Sequence, residues 1–313
     1  MAAPAKSTTP GVKTDILLES GTNELEIMEF TIADNVFGIN VAKVTEIMKY
    51  SVVNPMPNSH PNIEGVFKPR NNIITVIDLP SYMNLSASDN TDRDMFIITN
   101  FNKMSAAFHV HTVEGIHRIM WSDIEKPDNT IYGGQEGLAT GIAKVGDKLI
   151  TIIDFEKIVY DISPLTGIQM EEITQLGPRE RSSKPIIIAE DSALLKKMIL
   201  EALQEAGYTN ITAFTNGQDA WNHIKELCDK STGPITEDLC CVITDIEMPR
   251  MDGHRLTKLI RDKKETRDVP VIIFSSLIDE AMRDKGETLG ATAQLSKPEI
   301  GNLVSTIDKY ILS

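Results

Sequence analysis

"PIIIAEDSALLKKMILEALQEAG", residues 185–207, changes its apolar period once, and that change sets the fold of its half of the chain. An apolar run suited to a buried strand ends at two acids, Glu190 and Asp191, and apolar residues then recur at helical spacing. Ser192 is placed to cap that helix, and Leu195, Met198, Ile199, Ala202 and Leu203 form one stripe. Gly207 stands where a helix can end in a left-handed residue. Comparable apolar runs follow at "NITAFT" (210–215), "CCVITD" (240–245), "VPVIIFS" (269–275) and "ATAQLSK" (291–297), each leading into a helical pattern. The last helix carries Ile300, Leu303, Val304, Ile307 and Ile311. Strand and helix in alternation predict a doubly wound parallel sheet, whose ligands sit beyond the carboxyl ends of the strands.

Upstream the pattern differs. Residues 24–165 lack long helical periodicity and are rich in short β-prone runs such as "VFGINV" and "NIITVIDL". This half also repeats itself. "ITVIDL" at 74–79 returns as "ITIIDF" at 150–155, and Gly65-Val66 returns as Gly141-Ile142 at the same offset of 76. Val41, Val44 and Ile47 match Val110, Val113 and Ile116 at an offset of 69. Two similar β units packed together are expected, since one small unit buries too little surface alone. Residues 166–183, polar with Gly and Pro, are expected to be a linker before a second domain at 184–313, and residues 1–23 a flexible tail.

Composition sets limits on function. The chain has 313 residues, 41% hydrophobic and 24% charged, which is enough for real cores and more than one domain. Its net charge of -14 opposes binding to phosphate backbones or anionic lipid, so no nucleic-acid partner is expected. Cys228, Cys240 and Cys241 lack CxxC spacing and read as buried apolar residues in a reducing compartment. The N-terminus has no apolar signal region and no run approaches a membrane span, so the expected location is cytoplasmic, without direct membrane insertion.

In a parallel sheet the strand ends would bring together Glu190 and Asp191, Asp245, Ser275 and Lys297. Any one acid after a strand is most simply a helix cap or a solvated turn, and Asp245 alone carries no more than that. Carboxylates about 4 Å apart repel by about 4 kcal/mol at an effective dielectric near 20. A hard divalent cation relieves that cost, and Mg2+ suits few carboxylates plus water and phosphate oxygens. An aspartate beside Mg2+ can attack a phosphoryl group, with Lys297 offsetting charge on the transferred oxygens and the Ser275 hydroxyl donating to one of them. A cis bond before Pro298 would help to turn Lys297 inward.

Four segments in this order, "IIIAEDSALLKKMI", "VITDIEMPRMDGHRLTKLIR", "VIIFSS" and "LSKPE", resemble the receiver domain of two-component response regulators over residues 184–313. The resemblance implies a flavodoxin-like (βα)5 fold with Asp245 as phosphoacceptor. It implies Mg2+ on Asp191, Asp245 and the Glu247 backbone carbonyl, with Glu190 acting through water. Two positions depart from the common pattern. Gln294 stands where many receivers carry a Tyr or Phe that turns inward on phosphorylation, and Glu247 adds a side-chain carboxylate near the path of water to an acyl phosphate, where it is expected to alter dephosphorylation.

The segments "EFTIADNVFGINVAKVTEIM", "HPNIEGVFKPRNNIITVIDL" and "GLATGIAKVGDKLITIIDFEKIV" resemble the CheW family of chemotaxis coupling proteins. The resemblance implies an all-β domain of two SH3-like β-barrels, in keeping with the internal repeat. It also implies partners: chemoreceptor signalling tips and a CheA-type histidine kinase. Gly65 and Arg70 match the family's partner-binding motif, although "FKPRN" replaces the usual "INLRG". A CheW-like domain followed by a receiver is the arrangement of CheV proteins. The expected function is therefore a chemotaxis adaptor, recruited to membrane-associated receptor arrays and tuned by phosphorylation of Asp245 for adaptation or as a phosphate sink. It is not expected to be an enzyme, since the receiver takes the phosphoryl group onto its own aspartate. Two other readings remain open: a scaffold indifferent to phosphorylation, favoured by Gln294, and an aspartate-nucleophile phosphohydrolase, disfavoured because no Asp-x-Asp-x-Thr motif is present. His109 and His111 share a period-two face with no third ligand nearby in sequence, a poor basis for a metal site.

Overall fold

In the computed structural model the described residues are 24–70, 72–101, 104–127, 137–164, 168–276, 278 and 280–311; the expected tail lies outside them. The first domain is built from β1 (Glu24–Ile32), β2 (Asn35–Asn40), β3 (Val44–Lys49), β4 (Ile63–Phe67), β5 (Ile74–Asp78), α1 (Leu79–Tyr82), β6 (Met95–Phe101) and β7 (Met104–Val110). It continues with β8 (Thr112–Met120), β9 (Ile124–Glu125), β10 (Ala139–Val145), β11 (Lys148–Ile153) and α2 (Phe155–Ile162).

The internal repeat has a structural counterpart in two sheets, ordered β3-β6-β7-β5-β4 and β8-β1-β2-β11-β10, with β9 added at the edge of the second. Corresponding pairs run the same way: antiparallel, antiparallel, parallel, antiparallel. Gly65 and Gly141 both sit at a register shift, and a Cβ on Gly65 would lie 2.2 Å from the Asn54 carbonyl oxygen, where φ is +151°. After each repeated strand an aspartate caps a helix: Asp78 accepts from Ser81 N at 2.9 Å and Asp154 from Lys157 N at 3.0 Å. The sheets share a core in which Phe30, Ile32 and Ile39 of one meet Ile77, Ile97 and Phe108 of the other around Phe155. The repeats are interleaved, because β1 and β2, first in the chain, belong to the second sheet.

The second domain holds β12 (Ile186–Ala189), β13 (Ile211–Phe214), β14 (Cys241–Thr244), β15 (Val271–Ser275) and β16 (Ala293–Ser296), after a short α3 (Glu171–Gln175). All pairings among these five strands are parallel, in the order β13-β12-β14-β15-β16. The helices are α4 (Ala193–Glu205), α5 (Gly217–Lys230), α6 (Gly253–Asp262), α7 (Glu280–Thr288) and α8 (Ile300–Ile311). Strand alternation divides the core by face. Ile186, Ile188, Ile243 and Phe274 pack with α4 and α8, while Ile187, Ala189, Val242 and Val271 pack with α5 and α6.

Two expectations change. Residues 168–183, within the expected linker, are not a free connector: Ile168 and Ile173 are buried in the receiver core, and Glu172 accepts from Gly301 N at 2.8 Å. Their polar composition masks two apolar anchors. Of the cysteines only Cys241 is fully buried; Cys228 and Cys240 are half-buried.

Candidate functional site

β12 and β14 are neighbours with Ala189 opposite Thr244, so the next residues, Glu190 and Asp245, emerge side by side. Asp245 N donates to the Ala189 carbonyl at 2.9 Å, which fixes that step. β15 and β16 bring Ser275 opposite Ser296, and Lys297 follows at once. Lys297 N donates to Ser275 O at 3.1 Å, and the Lys297–Pro298 bond is cis.

These side chains form one cluster. Lys297 Nζ donates to Glu190 Oε2 at 2.6 Å and to Asp245 Oδ2 at 2.9 Å, with the lysine and Glu190 each 1% exposed. Glu190, Asp191 and Asp245 offer oxygens all within 4.8 Å of one another, the one such group of possible metal ligands among the described residues. Burial drives the Glu190 pKa well above the usual carboxylate range; the Lys297 charge opposes this and Asp245 and Asp191 reinforce it. Burial likewise pushes Asp191 up to about 7, against the Lys43 charge and with that of Asp245. An oxygen-only donor set of three carboxylates converging within 4.8 Å fits a hard divalent cation such as Mg2+.

The loop after β14 shapes the opening. Ile246, Met248 and Met251 turn into the protein, and Arg250 adopts φ 64°. Gly253 closes the loop by donating from N to Ile246 O at 2.9 Å, and a Cβ there would lie 1.9 Å from Asp245 O. Asp252 caps α6 by accepting from Arg255 N at 2.7 Å. With its neighbours facing inward, Glu247 points out of the loop toward the first domain.

There it meets residues to which the sequence assigned no role. Lys43 Nζ donates to Glu156 Oε1 at 3.0 Å and lies 3.9 Å from Glu247 Oε2. Ser276 Oγ donates to Glu156 Oε2 at 2.7 Å. Glu247 Oε2 is buried without a hydrogen-bond partner, and burial lifts the Glu247 pKa to about 8 although Lys43 pulls the other way. Glu156 is the opposite case: burial would raise it, but Lys43, Lys297 and the Ser276 hydroxyl hold it down to about 2. A cleft lined by both domains, including Asp154, Asp191, Asp245 and Arg255, runs beside these contacts.

Gln294, at the departing position, donates from Nε2 to Arg283 O of α7 at 2.7 Å, and its side chain lies over Gly286. In the first domain Arg70 pairs with Glu46 at 2.9 Å on the surface, and Gly65 lies in β4. Val52 and Ile73, exposed to 84% and 69%, lie near the same end of β4. His109 and His111 do not converge. His109 instead bridges Glu64 at 2.9 Å and Asp94 at 2.8 Å, while His111 Nδ1 accepts from Ala33 N at 2.8 Å.

Comparison with known proteins finds two matching segments. Residues 26–163 match the family model of the CheW-like domain, and residues 186–308 that of the response regulator receiver domain. Chemotaxis protein CheV3 of Helicobacter pylori is 30% identical over 92% of this chain and 95% of its own length. CheV2 of the same organism is 26% identical over 88% of this chain and 90% of its own. The crystal structure of the scaffolding protein TtCheW from Thermoanaerobacter tengcongensis, 27% identical, covers 42% of this chain and 84% of its own with a TM-score of 0.38.

Proposed function

Since the chain belongs to the CheV family of chemotaxis proteins, we propose that it couples chemoreceptor signalling tips to a CheA-type histidine kinase and is tuned by phosphorylation of Asp245. The observation that carries this reading is the joining of Glu190, Asp191 and Asp245 to Lys297 at one strand edge. Asp245 is the nucleophile: the phosphorus–nitrogen bond of a phosphohistidine breaks, a bond forms from phosphorus to a carboxylate oxygen of Asp245, and the imidazole departs with the electron pair. Lys297 and the Ser275 hydroxyl face the charge carried by the phosphoryl oxygens. Asp191, Asp245 and the Glu247 carbonyl would hold Mg2+, with Glu190 behind a water; when bound, the ion offsets the charge of the carboxylates and of the incoming phosphoryl group. The chain accepts a phosphoryl group rather than turning over a substrate.

Partner docking belongs to the first domain, at the end of β4 where Gly65 and Arg70 stand near exposed Val52 and Ile73. No helix among the described residues is long and apolar enough to cross a membrane. With Mg2+ and phosphorylated kinase, wild type takes label and Asp245→Asn takes none; persistent labelling of Asp245→Asn rules the assignment out. Gln294, tied to α7 in place of a mobile aromatic ring, supports a second reading in which the receiver is a fixed docking surface. Equal affinity for receptor and kinase with and without a phosphoryl mimic favours that reading.

A further inference from the structure

We propose that Glu156 of the coupling domain is a built-in competitor of the phosphoryl group, so that the closed contact between the two domains and phosphorylation of Asp245 exclude each other. The inference rests on Asp245 being the phosphoacceptor.

Glu156 presents an anion where a phosphoryl oxygen would need donors. Its Oε2 accepts from Ser276 Oγ at 2.7 Å, and Ser276 directly follows Ser275, the hydroxyl assigned to the phosphoryl group. The charge of Lys297, already shared between Glu190 and Asp245, also acts on Glu156. The other oxygen, Oε1, is held by Lys43 Nζ at 3.0 Å, and Lys43 reaches on toward Glu247 at 3.9 Å. The coupling domain therefore brings both an anion for the receiver's donors and a cation for its surplus acid.

The carboxylate is held at both oxygens, and the backbone that carries it is fixed. Glu156 lies in the first turn of α2, whose preceding residue Phe155 is fully buried against Phe108 at a ring separation of 4.3 Å. Asp154 pins the same turn as its cap. Withdrawing the start of α2 from the receiver thus moves the coupling domain with it. Phosphorylation replaces the single charge of the Asp245 carboxylate with about −1.5 to −2 charges at neutral pH, next to Glu156, Asp154 and Glu247, with Lys43 already engaged. Closure and phosphorylation then oppose one another by the same factor in both directions, because coupling between two equilibria is reciprocal. An open receiver leaves α2 and Lys43 uncovered for partners, and a phosphorylated one stays open.

The test uses the full chain with Mg2+ and acetyl phosphate, a donor too small to need docking. Glu156→Gln and Lys43→Gln are expected to take label on Asp245 at least fivefold faster than wild type, and Asp245→Asn to take none. Hydrogen exchange across residues 155–162 should rise when wild type is labelled. Equal labelling rates in wild type and both variants overturn the proposal while leaving the phosphoacceptor in place. So does unchanged exchange in α2 on labelling. Absence of label from every chain removes the phosphoacceptor assignment and this inference with it.

Discussion

Asp245 and Gly253 are coupled at the scale of single atoms. The loop from Asp245 returns so close that a Cβ at position 253 would sit 1.9 Å from the Asp245 carbonyl oxygen. That clash is with backbone, so the loop must move rather than a side chain. Gly253→Ala is expected to lower the unfolding free energy by about 2–3 kcal/mol, as overpacking does. Urea denaturation followed by circular dichroism checks it, and an unchanged midpoint would mean the loop relaxes freely. The glycine is visible in the sequence as part of "MDG", but its reason is not, because the oxygen it avoids lies eight residues back. Glu190, Asp191, Asp245 and Lys297 were legible as a group for the contrary reason: parallel pairing alone forces strand ends together.

Single elements carry the polar network that the sequence concealed. His109 lies in β7, Glu64 in β4, and Asp94 immediately before β6, so no local spacing links them. Burial opposes the charged imidazole, yet hydrogen bonds to Glu64 and Asp94 raise its pKa above the ordinary histidine value. Burial would also raise Glu64, but its bonds to His109 and Tyr50 hold it low. The sign follows. A raised native histidine stabilises fully below its unfolded value of about 6.5 and loses that contribution as pH climbs through the native value. A lowered native glutamate stabilises above its unfolded value and loses that as pH falls through the native one. His109→Gln is therefore expected to cost most near pH 5.5 and distinctly less at pH 9, read from urea titrations of both chains. A pH-independent difference would exclude a charged His109. By contrast the strand repeat was legible, since "ITVIDL" and "ITIIDF" encode the same strand and the same aspartate cap.

For the molecule as a whole, acids of both domains converge on one cleft. A cation that binds the folded receiver stabilises it by mass action, about 2.7 kcal/mol at a hundredfold excess over its Kd. Mg2+ is expected to raise the melting midpoint of wild type, and Asp191→Asn to lose most of that shift in scanning calorimetry. An equal shift in both would place the ion elsewhere. The docking of Lys43 and Glu156 onto the receiver was not legible, because it depends on two separately folded surfaces meeting, which no periodicity records. The interleaved sheets carry one more consequence, and it concerns synthesis. Leu25 of β1 pairs with Ile119 of β8 and Phe37 of β2 with Thr151 of β11, so the strands that emerge first must wait for partners made much later in the domain. Such distant pairing folds slowly, and an open hairpin edge is exposed meanwhile. A nascent chain stalled near residue 110 would hold the strands of the first sheet complete but leave β1 and β2 unclaimed, a species suited to chaperone capture.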